Sequence, residues 1–294
     1  MRILETASFR CVATMAVVTT LSTAPASAHH EAMFGPQSAS VLSPTFFISG
    51  QVFDKETGRD TEKRRETTTV YSVGFTPIRN QPLSIAFVLP ITFASGVSAP
   101  STPGSANRGF EDTVLSARYR VNAPAVASAL GFEESYVMGV GGLELPTGTI
   151  DHPFAKGAFG EIVAGIVSVE KRPVAAIAYG YYHHRGVHDG VRDSGNTFAG
   201  GGIAYTPIDD DARGKLFSVQ LGISEERTFA SEEHGVVVAD SGASGVFMHP
   251  GIVFSTNPSL QFFGLVSLPL TQHWNSPVDR QRFRLGTGVI WILK

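Results

Sequence analysis

Cysteine is almost missing from this chain of 294 residues: Cys11 is the only one. Its position makes the absence complete. Arg2 and Arg10 form a short basic start, an apolar stretch runs from Cys11 to about Leu21, and Ala26-Ser27-Ala28 supplies a cleavage site of the A-x-A kind. This is the pattern of a secretory signal peptide over residues 1–28, so the mature chain is expected to begin at His29. A mature chain without cysteine excludes disulfides, thiol catalysis and Cys-based metal sites. Charge is also scarce, with 23 basic residues against 26 acidic ones, and no basic block is present. That argues against nucleic acid as a partner. Beyond the signal, no apolar run approaches the roughly 18 residues of a membrane-spanning helix.

What is present is alternation. Twelve segments of about ten to thirteen residues carry apolar side chains at every second position, which is the period of a β-strand. The first two read 46–52 and 68–75. The third is the clearest: Leu83, Ile85, Phe87, Leu89, Ile91 and Phe93 form one row, with Ser84, Ala86 and Thr92 on the other. The fourth sets Leu115, Ala117, Tyr119 and Val121 against Ser116, Arg118 and Arg120. Eight more follow at about 135–146, 158–170, 174–185, 196–206, 215–226, 244–255, 259–271 and 281–293. An even number of half-apolar strands predicts a single antiparallel transmembrane β-barrel, in which lipid-facing and lumen-facing residues take turns. A secreted β-sandwich is the alternative on composition alone.

The breaks between segments favour the barrel. With the N-terminus in the periplasm, the outward breaks fall near 54–66, 95–109, 147–157, 186–195, 227–243 and 272–280. Three inward breaks are tight: Pro77 to Pro82, Glu170 to Pro173, and Thr256 to Ser259. Thr206 to Gly214 and Asn122 to Glu134 are longer, and the second carries an Ala-rich run suited to a short helix. Short periplasmic turns and longer outer loops are the habit of such barrels. Residues 29–42 precede the barrel, expected over 43–294, and could fold into its lumen. Pro90, Pro250 and Pro269 fall inside expected strands, where a closed barrel has no edge to excuse a missing N–H. Bulges or strand margins are expected there.

Three motifs resemble the family of outer-membrane transporters named after the meta-pathway of phenol degradation. Gly109-Phe110-Glu111-Asp112-Thr113-Val114-Leu115-Ser116-Ala117-Arg118-Tyr119 is similar to its strand motif, in which a Gly-Asp pair leads to Ala-Arg-Tyr. Gly141 to Gly148 resembles its Leu-Pro-Thr-Gly corner, and Arg284-Leu285-Gly286-Thr287-Gly288 resembles the start of its final strand. Phe110-Glu111 departs from the usual Gly-rich lead-in, and the chain ends on Trp291-Ile292-Leu293-Lys294 rather than on an aromatic residue. The resemblance implies an outer membrane of a Gram-negative bacterium, passive uptake of small hydrophobic or aromatic solutes, contact with outer-membrane lipids and delivery by the assembly machinery. It implies no cofactor.

Parity assigns the candidate lumen residues. If Leu115 and Tyr119 face lipid, then Asp112, Arg118 and Arg120 face inward, and the same rule sends Glu144, Glu161, Arg282 and Arg284 inward. These seven are the candidates for a charged constriction; the competing role is an internal ion-pair network bracing a narrow barrel, because a buried charge needs a partner. The run Tyr179-Gly180-Tyr181-Tyr182-His183-His184-Arg185, followed by His188 and Asp189, reads as an aromatic girdle and loop stem. Adjacent histidines on a strand point to opposite faces and do not converge on one metal ion. His249 shares a face with Phe247 and Val253, and no serine stands out beside it in sequence. With no G-x-S-x-G present, no catalytic residue is expected. The expected function is therefore a transporter or narrow channel. The alternatives are a closed structural or binding barrel working through its outer loops and, third, an outer-membrane lipid hydrolase.

Overall fold

The computed structural model describes residues 47–57, 64–75, 82–96, 108–148, 157–210, 213–239, 241–257, 259–275 and 281–292. The expected signal peptide and the segment 29–42 lie outside the described residues. In chain order the strands are β1 (Phe47–Thr57), β2 (Arg64–Phe75), β3 (Leu83–Gly96), β4 (Arg108–Phe110), β5 (Thr113–Asn122), β6 (Glu134–Leu145), β7 (Gly160–Lys171), β8 (Val174–Arg185), β9 (Val187–His188), β10 (Val191–Arg192), β11 (Asn196–Asp210), β12 (Lys215–Thr228), β13 (Glu232–Glu233), β14 (Val236–Val237), β15 (Ala243–Asn257), β16 (Leu260–Trp274) and β17 (Gln281–Ile292). Among the described residues, a helix, α1 (Pro124–Leu130), fills the Ala-rich inward turn.

Twelve of these strands form the wall. Each pairs antiparallel with its neighbour in sequence, β1 pairs with both β2 and β17, and β2 pairs with β3, so the sheet closes on itself. All twelve expected strands are found, most of them longer than anticipated. β1 runs on to Thr57 and β2 starts at Arg64, so the first outer break shrinks to 58–63. It is no longer than the inward turn at 76–82, and the expected contrast in loop length is missing at that hairpin. β11 continues through Pro207 to Asp210 by way of a register shift between Tyr205 and Ile208, which shortens the expected turn at Thr206 to Gly214.

Alternation decides which way each strand turns its side chains. Along β12, Phe217, Val219, Leu221 and Ile223 are exposed while Leu216, Ser218, Gln220 and Ser224 are buried. Tyr71, Phe87, Leu115, Tyr119, Leu143, Ile203 and Ile252 extend the exposed apolar belt around the ring. In water so large an exposed apolar surface would be a standing liability. In a bilayer it is the natural outer face of a barrel, which leaves no backbone edge unpaired in lipid. Aromatic residues collect at the inner rim of the belt, where Tyr205, Phe217 and Trp291 are exposed and Phe254 stacks on Phe262 at 5.0 Å. Above the opposite rim, β9, β10, β13 and β14 form a separate four-stranded sheet, joined by an ion pair of 3.1 Å between Arg192 and Glu232.

The three wall prolines are each accommodated differently. Pro90 sits where β3 changes partner, from β5 below Val88 to β4 above Ile91, and Glu111 N–H donates to the Pro90 carbonyl at 3.0 Å across the seam. Pro250 interrupts the register between β15 and β16, which is lost between Met248/Leu268 and Gly251/Leu265. Pro269 lies next to a bulge in β16, and its pairing with β17 stops just below it, at Ser267/Arg284. Each is a missing N–H donor in a sheet without edges.

Candidate functional site

The inner wall carries two braced charge clusters. In the first, the buried carboxylate of Glu144 (β6) meets His183 Nε2 (β8) at 2.9 Å and accepts from Arg185 Nε at 3.1 Å. Arg185 also reaches Glu144 Oε1 at 3.4 Å and donates to the Ser194 carbonyl at 3.2 Å. These side chains meet over β7, and the residue beneath them is Gly160. A Cβ at that position would stand 2.7 Å from Glu144 Oε2 and 2.9 Å from His183 Nε2. Glycine at 160 is what lets the two strands flanking β7 join hands across it.

The second cluster spans a wider arc. Arg284 of β17 donates to Glu226 of β12 through Nη2 at 2.6 Å and Nη1 at 3.0 Å. β15 and β16 lie between those strands. Three strand spacings separate the partners, roughly 14 Å along the wall, so the pair crosses in front of the sheet as a strut. The guanidinium also rests over the Phe247 ring, with Cζ 4.5 Å from its centroid. A bidentate Arg–carboxylate pair holds its geometry better than a lysine pair would.

Beneath this strut lies a hydrogen-bonded row. Ser224 Oγ donates to Glu226 Oε1 at 3.3 Å and meets His249 Nε2 at 2.7 Å, and His249 Nδ1 meets Ser267 Oγ at 2.8 Å. Sequence alone showed no serine beside His249, because Ser224 stands on β12 and Ser267 on β16. The His249–Ser267 bond falls in the stretch where Pro250 interrupts the backbone register, so a side-chain bond replaces a lost rung. The imidazole thus joins β12 to β16 through its two ring nitrogens.

Between the clusters runs an aromatic face. Tyr181 stacks on Phe198 at 4.4 Å, and Tyr179 meets the same ring edge-on at 5.8 Å. Tyr182 and His184 point the other way and stack at 6.4 Å on the outside. The expected girdle is thus half of the run. The other half, Tyr181, His183 and Arg185, belongs to the inner wall.

The seven parity candidates separate. Asp112 is buried at the start of β5, where its Oδ1 accepts from Gly148 N–H at 2.9 Å, and Thr113 and Thr147 bond beside it at 2.7 Å. It ties down the Leu145-Pro146-Thr147-Gly148 corner. Glu144 and Arg284 anchor the two clusters. Arg118 and Arg120 share the inward face of β5 toward the periplasmic end, where Arg120 Cζ lies 4.0 Å over the Tyr136 ring. Arg282 lies where the register of β17 against β1 shifts, and there it is the Gln281 side chain that meets Arg284. Glu161 is a correction: it is exposed and in register with Leu143 and His184 on the outer face. β7 offers apolar residues on both faces, Ile162 and Ile166 on one and Val163 and Val167 on the other, so parity had nothing to choose between. Glu226, His183, Arg185, Ser224 and Ser267 were missed as lumen residues, since their partners lie on other strands.

A closed ring of twelve strands with an apolar belt outside and paired charges inside is the fold of an outer-membrane β-barrel. The crystal structure of an outer-membrane channel from Pseudomonas putida F1 has this fold, with a TM-score of 0.69 at 13% identity over 89% of this chain and 100% of that one. A KdgM porin (TM-score 0.45, 11% identity, 84% of this chain and 99% of that one) and LpxR from Salmonella typhimurium (0.46, 10%, 84% and 100%) are too remote in shape to inform on this barrel. No protein-family model matches the chain, and no curated protein matches its sequence.

Proposed function

We propose that this barrel is a narrow outer-membrane channel for passive entry of small solutes, with a preference for uncharged hydrophobic or aromatic ones. The observation that carries the reading is the state of the inner wall. Glu144 and Glu226 are neutralised within the wall by Arg185 and Arg284, and the face between them is built from Tyr179, Tyr181 and Phe198. Paired charges leave little net field to attract an ion, while aromatic faces offer stacking to a planar solute. The two struts are the constriction in this proposal. Arg284 and Glu226 narrow the bore from one arc and Glu144 and Arg185 from another. Few porous alternatives suit twelve strands, which fall between the filled eight-stranded barrel and the open sixteen-stranded porin. Uptake by a deletion strain across a panel of aromatic compounds, together with conductance in planar bilayers, tests this. Neither conductance nor complemented uptake would sink the channel reading.

A barrel working through its outer loops is the second reading, favoured by the ordered sheet of β9, β10, β13 and β14. Loss of a cell-surface phenotype on deleting 229–242, with uptake intact, would support it. The hydrolase reading has least support, since His249, Ser224 and Ser267 are buried in the wall, where they tie β12, β15 and β16 together.

A further inference from the structure

The two braced clusters neutralise their arginines: Arg185 and Arg284 each bond to a glutamate on another strand. Arg120, in the periplasmic half, has no such partner among the described residues. Its guanidinium contacts the Tyr136 ring, with Cζ 4.0 Å from the centroid. Its Nε is buried and makes no hydrogen bond. A guanidinium does not lose its proton inside a protein, and a charge drawn out of water without a counter-charge is costly. The carboxylates at this end of the barrel stand elsewhere. Glu134 and Glu170 are in register with each other at the mouth, two inward positions below Met138, which is the residue opposite Arg120.

The surrounding wall adds donors on one side and an apolar bed on the other. Ser116, Arg118 and Arg120 are successive inward positions of β5, each roughly 7 Å from the next. Ser116 is 6% exposed, and its Oγ is buried without a hydrogen-bond partner. Arg118 stands opposite Ser84 of β3. Toward the other neighbour, β6 sets Val140 opposite Arg118 and Met138 opposite Arg120, and β7 sets Ile166 opposite Met138. Two cations and a hydroxyl in line thus border apolar side chains. Stacking on Tyr136 occupies one face of the Arg120 guanidinium and leaves its N–H edge for an anion.

We propose that this stretch of β5 is a binding site for an organic carboxylate with an apolar or aromatic body. The carboxylate sits between Arg118 and Arg120, whose forked N–H groups match its two oxygens. The body lies on Val140, Met138 and Ile166. A small inorganic anion would leave that bed unused, so the body is selected along with the charge. The chemistry differs from that of the outer half, where charges cancel in pairs and the aromatic face offers stacking to neutral rings. The proposal rests on the channel reading only for the route by which the acid arrives. It adds a second solute class and names the residues that select it.

The test is equilibrium dialysis of the purified barrel against radiolabelled benzoate and against benzyl alcohol, its neutral counterpart. The wild type is expected to bind benzoate about tenfold tighter than benzyl alcohol, and R120Q is expected to bind the two equally. Wild-type protein that binds both equally overturns the site. So does R120Q that keeps the preference while its gel mobility still changes on boiling, the sign of a folded barrel. Should R120Q fail to assemble, the wild type decides. Added salt is expected to weaken benzoate and leave benzyl alcohol unchanged, and benzoate binding indifferent to salt overturns the site. Acetate that competes as well as benzoate itself overturns the apolar bed. Benzoate bound by a protein that neither conducts ions nor supports uptake leaves the site standing, and it is the channel reading that fails.

Discussion

Pro90 and Pro269 remove the same donor from the same kind of closed wall, and the two sites are repaired in different currencies. At Pro90 the neighbouring strand is split into β4 and β5, and the backbone of Glu111, lying between the two pieces, bonds to the proline carbonyl. The Glu111 side chain adds a bond from Thr92, which is itself 2.6 Å from Thr68 on β2. At Pro269 the paired register with β17 stops at Ser267/Arg284, and above it the Gln272 amide bonds to the Gln281 backbone. Pro250 is intermediate, with the His249–Ser267 bond lying in the interrupted stretch itself. A backbone repair is as permanent as the strand, because it shares the cooperativity of the ladder. A side-chain repair can open while the strands on either side stay paired. The comparison teaches that a proline in a barrel wall need not be a weakness, and that its consequence depends on which group supplies the missing bond.

Substitutions can break or sharpen this contrast. The largest effect is expected at the Pro90 seam, where E111P removes both the backbone donor and the bond from Thr92. A loss of about 3 kcal/mol or more is expected, seen as barrel that no longer resists unfolding in urea and whose gel mobility no longer changes on boiling. E226A comes next, because it leaves Arg284 unpaired in the inner wall. Breaking such a pair is expected to cost about 2 kcal/mol, below the fully buried range since both partners are partly exposed, and to raise conductance as the strut falls away. Wild-type conductance in that variant would remove the strut from the constriction. H249A should cost about 1–2 kcal/mol through its two lost hydrogen bonds. Loss of an esterase activity together with that stability would revive the hydrolase reading. The smallest effect is expected from P269V, which returns an N–H opposite Arg282. A gain of about 0.5–1 kcal/mol in urea unfolding would show that the missing rung, and not the bulge, interrupts the ladder.

The sequence was most informative where one face of a strand is uniform. Leu83 to Phe93 and Phe217 to Ile223 announced their strands and their outward sides without help, since a period of two has one reading when one face is apolar. β7 shows where this fails. Ile162 and Val163 are equally at home in lipid or in a packed lumen, and Glu161 was sent to the wrong side. The Tyr179 to Arg185 run was divided correctly between faces by parity for its histidines, yet the inward half had no visible purpose until Glu144 was placed opposite.

Alternating polarity, turn spacing and an even count determined the barrel, because these depend only on neighbours along the chain. The tertiary structure decided which charges meet. Glu144 and Arg185 are 41 residues apart and Glu226 and Arg284 are 58 apart, and no local pattern links them. Closure of the ring fixes which strands lie within reach across an intervening one, and a glycine such as Gly160 decides whether the reach is clear. The same holds for the wall prolines. Sequence marks where a donor is missing, and only the register of the closed sheet shows whether a backbone, a histidine or a glutamine takes its place.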